Sequence, residues 1–248
     1  MKNRVALVTG GTGGIGTAIC VALAEAGARV AANFLPGHED KAREWQEARR
    51  AEGHEILVVP GDVTDFDSCR AMVAQVEAEL GPVEILVNNA GITRDATFRK
   101  MTPEQWQAVL RTNLDSCFNV TKQVWEGMLA RGFGRIINIS SLNGEKGQFG
   151  QANYAAAKAG MHGFTMALAQ EGAAKGVTVN TISPGYIGTP MVMAIAEEIR
   201  EKIIAQIPVG RLGRPEEIAR AVVFLAADEA GFITGANFSI NGGQHMHH

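Results

Sequence analysis

The chain has 248 residues, and 23 Lys and Arg against 26 Asp and Glu leave a formal net charge of −3. A hydrophobic fraction of 46% with 20% charged residues is that of an ordinary globular protein and excludes a disordered chain. The slightly acidic balance provides no general attraction for a phosphate backbone, so nucleic acid is not an expected partner.

Cys20, Cys69 and Cys117 are far apart and include no Cys-x-x-Cys, which points to buried thiols in a reducing compartment rather than a disulfide frame. The N-terminal apolar run leads directly into a glycine turn and is too short for a signal peptide. No stretch approaches the ~18 apolar residues of a membrane span. The expected location is the cytoplasm, with no membrane partner. His245, His247 and His248 read as a disordered end or tag remnant, and no metal site is expected.

In chain order, short β-branched runs alternate with helix-length segments. The runs predict strands over Arg4–Thr9, Arg29–Asn33, Glu55–Pro60, Ile85–Asn88, Arg135–Ile139, Val177–Ser183 and Asn237–Ile240. Helices are predicted over Ile15–Ala26, Glu39–Glu52, Ser68–Leu80 and Tyr154–Lys175, among others. Apolar strands each followed by a helix imply an α/β fold: a doubly wound parallel sheet of about seven strands with both faces covered. No linker, charge block or repeat divides it, so residues 1–248 are expected to form one domain. Such sheets bind ligands beyond the carboxyl ends of their strands.

The first strand runs into Thr9-Gly10-Gly11-Thr12-Gly13-Gly14-Ile15-Gly16 and then a helix. Glycines there let the backbone approach a pyrophosphate, and the helix N-terminus supplies N–H donors and a favourable dipole. A glycine turn alone is a weak signal; its place between strand and helix strengthens it. The second strand ends Ala32-Asn33-Phe34, without the acid that holds an adenosine ribose in many dinucleotide sites. The next loop carries Glu39 and Asp40 beside Lys41 and Arg43; the acids would repel a 2′-phosphate and the cations attract one. The balance leans slightly to NADH over NADPH.

Tyr154 and Lys158 stand four residues apart, a spacing that shares a helix face. A nearby ammonium favours the phenolate and so lowers a phenol's pKa. Ser141 follows the fifth strand, and its hydroxyl can donate to a carbonyl oxygen. A lone Tyr-x-x-x-Lys pair is ordinarily a helix-surface feature, and it gains meaning only beside the glycine turn and the serine.

Together, Thr9-Gly10-x-x-x-Gly14-x-Gly16, Asn88-Asn89-Ala90-Gly91, Asn113, Ser141 and Tyr154-x-x-x-Lys158 resemble the classical short-chain dehydrogenase/reductase family across essentially the whole chain. The resemblance implies a Rossmann-type sheet, a nicotinamide cofactor, NAD(P)H, and a homotetramer. It implies that Tyr154 protonates a carbonyl oxygen and that Lys158 binds the nicotinamide ribose and depresses the tyrosine's pKa. Ser141 would orient the carbonyl, and Asn113 would fix a helix bend and a relay water. Gly10, Gly14, Ile15 and Gly16 correspond to the pyrophosphate turn, and Asp62 and Val63 to the adenine side, with Asn33 at the departing strand tip. Asn88, Ala90 and Gly91 correspond to the ribose wall, and Pro184, Gly185, Ile187 and Thr189 to the nicotinamide clamp.

Two branches of that family fit, the 3-oxoacyl-(acyl carrier protein) reductases and the acetoacetyl-CoA reductases of polyhydroxybutyrate synthesis. Asn143 through Tyr154, Gly91 through Asp95 and the tail Asn241 through Met246 are closer to the second. That likeness implies acetoacetyl-CoA as substrate, contacted by Gln148, Gln151 and Tyr186 with Phe149 as an apolar wall; separately, the basic cluster Arg94, Arg99 and Lys100 suits CoA phosphates. The bland reading of Gln148 and Gln151 is a polar surface loop, and that of Arg94 is a solvated charged segment. A hydrolase is disfavoured, because no Gly-x-Ser-x-Gly elbow is present and His162 reads as packing. A non-enzymatic nucleotide sensor would not need Ser141, Tyr154 and Lys158 in register.

Overall fold

The computed structural model describes residues 1–246. Strands β1 (Val5–Val8), β2 (Arg29–Phe34), β3 (Ile56–Pro60), β4 (Val83–Asn88), β5 (Gly134–Ile139), β6 (Val177–Pro184) and β7 (Asn237–Ile240) form one sheet. All pairings are parallel, in the order β3-β2-β1-β4-β5-β6-β7. The helices are α1 (Gly14–Glu25), α2 (Glu39–Ala51), α3 (Phe66–Leu80), α4 (Pro103–Leu110), α5 (Ser116–Arg131), α6 (Leu142–Lys146), α7 (Ala152–Gly172), α8 (Pro190–Met193), α9 (Glu197–Ile204) and α10 (Pro215–Ala226). The expected α/β doubly wound sheet is the fold observed. Predicted strand and helix ends differ from these by a residue or two, except that the last turn of the long helix, Ala173–Lys175, is 3-10.

The strands read as continuous apolar runs because both of their faces are covered. Val5 and Leu7 pack into one layer with Val76 of α3 and Val120 and Val124 of α5. Ala6 and Val8 point the opposite way, into a layer with Ile19 and Leu23 of α1 and Val222 and Leu225 of α10. All of these side chains are fully or almost fully buried.

Local chemistry starts several helices. Asp65 caps α3 by accepting from Ser68 N at 2.6 Å. Thr102 and Gln105 form a reciprocal capping box at α4, with Pro103 in the first turn. Between α4 and α5 the chain forms a π-helical segment, Arg111–Asp115, that joins the two without a break. The winding reverses between β1 and β4, so the crevice opens at the carboxyl ends of these strands. No helix among the described residues is long and apolar enough to cross a membrane.

Candidate active site

The turn after β1 is built on its glycines. Gly10 has φ of +60°, and a Cβ at Gly16 would strike the Gly10 carbonyl oxygen. Gly13 caps α1 without any side-chain bond, and the first turn of α1 carries no acid. Its N–H dipoles therefore meet an approaching anion with no carboxylate in competition. Across the slot, a Cβ at Gly14 would lie 3.0 Å from Thr189 Cβ. A turn that must stay free of side chains, facing the segment after β6, fits the pyrophosphate of a nicotinamide dinucleotide.

One cavity of about 400 Å³ lies at this edge. Its wall brings together Ile15, Gly91, Ser141, Gln151, Tyr154, Lys158, Pro184, Gly185, Tyr186, Ile187 and Thr189 from the expected set. It also includes Asn89, Asp95, Asn143, Met191 and Val192, which were not in that set.

Ser141 leaves β5 in an extended conformation and caps α6, accepting from Asn143 N at 3.1 Å. Tyr154 stands in the first turn of α7. Burial raises its phenol's pKa, opposed by a hydrogen bond to Ser141. Lys158, one turn further, donates from Nζ to the Ile139 carbonyl at 2.8 Å. Burial lowers the Lys158 pKa to about 8. The ammonium sits 5.7 Å from the Tyr154 ring centroid. The expected depression of the tyrosine is thus reversed in this arrangement, because loss of solvation dominates at the phenol. The raised pKa keeps the phenol protonated at neutral pH, the state in which it can give a proton.

Asn113 lies in the π-helical segment, fully buried. Its Oδ1 accepts from Ile92 N at 2.8 Å, and its Nδ2 donates to Ile92 O at 2.9 Å. The expected helix bend is therefore a π segment pinned to the chain that leaves β4. A Cβ at Gly91 would stand 3.1 Å from Asn113 Oδ1 and 3.5 Å from Lys158 Nζ, so these groups crowd one point.

Several expected residues lie elsewhere. Asn88 is buried and donates to Asn138 Oδ1 at 2.8 Å and Thr121 Oγ1 at 3.2 Å. Its neighbour Asn89 reaches the cavity instead, donating to Thr9 O at 2.9 Å and Gly10 O at 3.2 Å. Asn33 braces the glycine turn: Gly10 N donates to its Oδ1 at 3.2 Å, while its Nδ2 donates to Gly61 O at 3.0 Å. Asp62 accepts from Thr64 N and Thr64 Oγ1, at 2.9 and 2.8 Å, and Val63 is buried. Ala90 packs beside Gly10, 3.1 Å from the place of its missing Cβ.

Gln148 is exposed and accepts from Lys146 Nζ at 3.0 Å, and Phe149 is 86% exposed. Arg94 is exposed and turns back onto Thr93 O at 2.8 Å. None of these three is on the cavity wall, because the 146–149 loop and the Arg94 side chain project into solvent. Alternation at a strand end could have separated Asn88 from Asn89; Asn143 opens the segment likened to the acetoacetyl-CoA reductases, which was the signal available for it.

Other chemistries find no support. Ser140, not Ser141, meets His162 (3.0 Å), and it is buried with its hydroxyl donating to Lys158 O at 2.8 Å. Burial pushes all three thiols up, so none is poised as a nucleophile. Among the described residues no group of three His, Cys, Asp or Glu is arranged to hold a metal. His247 and His248 lie outside the described residues.

Residues 10–245 match the family model described as enoyl-(acyl carrier protein) reductase. The chain is 63% identical over 243 residues to an acetoacetyl-CoA reductase of Shinella zoogloeoides, covering 98% of each. It is 61% identical over 244 residues to an acetoacetyl-CoA reductase of Allochromatium vinosum, covering 98% of this chain and 99% of that protein. It is 45% identical over 245 residues to a 3-oxoacyl-(acyl-carrier-protein) reductase of Escherichia coli, covering 99% of this chain and 98% of that one. Matches that span nearly every residue, on a sheet and a crevice of this form, make the chain a member of the short-chain dehydrogenase/reductase family.

Proposed function

We propose that this protein reduces acetoacetyl-CoA to (R)-3-hydroxybutanoyl-CoA with NAD(P)H, supplying a precursor of polyhydroxybutyrate. The observation that carries the reading is the convergence of Ser141, Tyr154 and Lys158 on one cavity beside a side-chain-free glycine turn. The identities of about three-fifths to acetoacetyl-CoA reductases support the substrate over a carrier-protein thioester, whose reductase is a more distant relative.

A nicotinamide cofactor held between the glycine turn and the segment after β6 would supply the hydride for C3. Tyr154 holds a proton at its phenol oxygen and transfers it to the substrate's carbonyl oxygen as negative charge develops there. Ser141 donates a hydrogen bond to the same oxygen and keeps the carbonyl in line with the phenol. Lys158, held by Ile139 O, keeps its positive charge 5.7 Å from the Tyr154 ring centroid and would bind the cofactor's ribose. Asn113 keeps the 91–92 backbone against Lys158. Tyr186 and Gln151 offer polar groups to the thioester end of the cavity.

The proposal covers either cofactor, with a slight lean to NADH: Glu39 and Asp40 open α2 in the loop after β2, where their charge would oppose a 2′-phosphate, and Glu39 accepts from Gly37 N at 2.9 Å. It takes the whole chain as one reductase domain acting in the cytoplasm, which the three free, buried cysteines support. A homotetramer is part of it, supported by the exposed Phe118, Met166, Phe224 and Phe232.

The test follows NADH and NADPH oxidation with acetoacetyl-CoA beside an acetoacetyl carrier-protein thioester. A much higher kcat/KM for the CoA ester is expected. Preference for the carrier protein would make this a fatty-acid synthesis reductase, and inactivity on both would sink the substrate assignment.

A further inference from the structure

Lys158 is gripped at both ends by successive residues leaving β5. Its Nζ donates to Ile139 O at 2.8 Å, and its own carbonyl accepts from Ser140 Oγ at 2.8 Å. From the other side α6 leaves this peptide no slack: a Cβ at Gly144 would stand 2.8 Å from Lys158 C and 2.9 Å from Lys158 Cβ. Ser141 follows Ser140 directly, so the Ser140 hydroxyl ties the chain beside Ser141 to the backbone that carries the lysine.

His162 sets the direction of that hydroxyl from one turn further along α7. Its Nε2 lies 3.0 Å from Ser140 Oγ and 3.3 Å from Ser183 Oγ of β6. A serine hydroxyl has one proton, and both of these are committed elsewhere. Ser140 gives its proton to a backbone carbonyl, which only accepts. Ser183 gives its proton to Asn237 Oδ1 at 2.8 Å. Asn237 is held in that sense because its Nδ2 donates to the carboxylate of Glu145, another group that only accepts. Proton counting therefore makes Nε2 the donor to both hydroxyls and fixes the imidazole as the Nε2–H tautomer.

Both hydroxyls are shut away from water, with Ser140 4% exposed and Ser183 fully buried. Among the described residues no other donor reaches either oxygen. Without the Nε2–H, Ser140 loses the contact that sets its rotamer, and with it the directed bond to Lys158 O. His162 is not on the wall of the active-site cavity, whereas Ser140 and Lys158 are. Any effect of the imidazole on the reaction must therefore pass through Ser140.

We propose that His162 is a positioning residue for the reduction: its Nε2–H holds the Ser140 hydroxyl on Lys158 O and so keeps the lysine in register with Ser141 and Tyr154. The inference rests on the reductase reading above.

The experiment compares His162→Leu, His162→Gln, Ser140→Ala and the double variant His162→Leu, Ser140→Ala, by kcat and KM for acetoacetyl-CoA beside the thermal midpoint. His162→Leu is expected to lower kcat about tenfold with KM within about twofold, because it displaces reacting groups without touching substrate. His162→Gln sets an amide N–H near the place of Nε2 and is expected to recover kcat to within about threefold of the wild type. Ser140→Ala should match the His162→Leu loss, and in the Ser140→Ala background His162→Leu should lower kcat no further. An unchanged kcat in His162→Leu overturns the proposal, as does a full further loss in the Ser140→Ala background. If His162→Leu does not fold, Ser140→Ala decides, and wild-type kcat there overturns it. If the wild-type chain reduces no 3-oxoacyl thioester, the functional reading fails by itself. The arrangement is then judged by nitrogen NMR of the His162 ring at neutral pH: the Nε2–H tautomer is expected, and the Nδ1–H tautomer refutes it.

Discussion

The centre of the cavity and the 146–149 loop both carry residues that the sequence nominates for substrate, and the structure treats them differently. Ser141 stands at the junction of β5 and α6, and Tyr154 and Lys158 stand in the first turns of α7. Two of them are held by backbone, Ser141 by Asn143 N and Lys158 by Ile139 O, and Tyr154 is hydrogen-bonded to Ser141. Gln148 and Phe149 occupy a solvent-facing loop, where the Gln148 side chain accepts from the exposed Lys146 Nζ. Residues at element ends are placed by the sheet and its helices, whereas a loop side chain is placed by whatever it touches. Likeness to relatives nominates both groups equally; only packing tells them apart.

The contrast predicts a steep gradient of effects. At the centre, Tyr154→Phe should lower kcat about 10³-fold by removing the proton donor, while cofactor affinity and the fold persist. Steady-state kinetics beside a cofactor titration checks this, and retained turnover would move the proton donor elsewhere.

Lys158 gives the next effect, on stability. Its folded pKa is about 8, below its ordinary 10.5, so the folded chain carries a charge that burial disfavours. Between these values the unfolded chain binds the extra proton, and stability therefore rises as pH climbs from about 8 to 10.5. Comparison of urea midpoints for the wild type and Lys158→Met should show this rise only with lysine present, on the order of 1–3 kcal/mol. Parallel curves would place the ammonium in a better-solvated site than the structure does.

The smallest effect belongs to the loop. Gln148→Ala and Phe149→Ala should leave kcat/KM for acetoacetyl-CoA within about threefold of the wild type. A loss at either position that rivals Tyr154→Phe would erase the distinction between the two regions and show that the loop folds onto bound substrate.

Much of the site was legible because its chemistry needs particular residues at particular element ends. The glycine turn announces itself through steric demand: Gly16 must be side-chain-free whatever binds, since its Cβ would strike Gly10 O. Asn33 and Asn88 show the opposite case. An amide at a strand end is equally suited to a ribose or to a neighbouring backbone, and here Asn33 braces the turn while Asn88 bonds Asn138 and Thr121. Asp95 and Asn143 lie in segments likened to the acetoacetyl-CoA reductases, but their hydrogen bonds to Gln151 emerge only from the structure.

The sequence by itself determined the alternation of apolar strands and helices, the parallel sheet and the order of its motifs, because these follow from local periodicity and turn chemistry. Tertiary structure decided which neighbouring side chains face the crevice, and it reversed the expected pKa of Tyr154. Those properties depend on the placement of β4 beside β1, of α7 over β5, and on the water these contacts exclude. Direction and solvation are properties of three-dimensional neighbours, which a linear pattern does not contain.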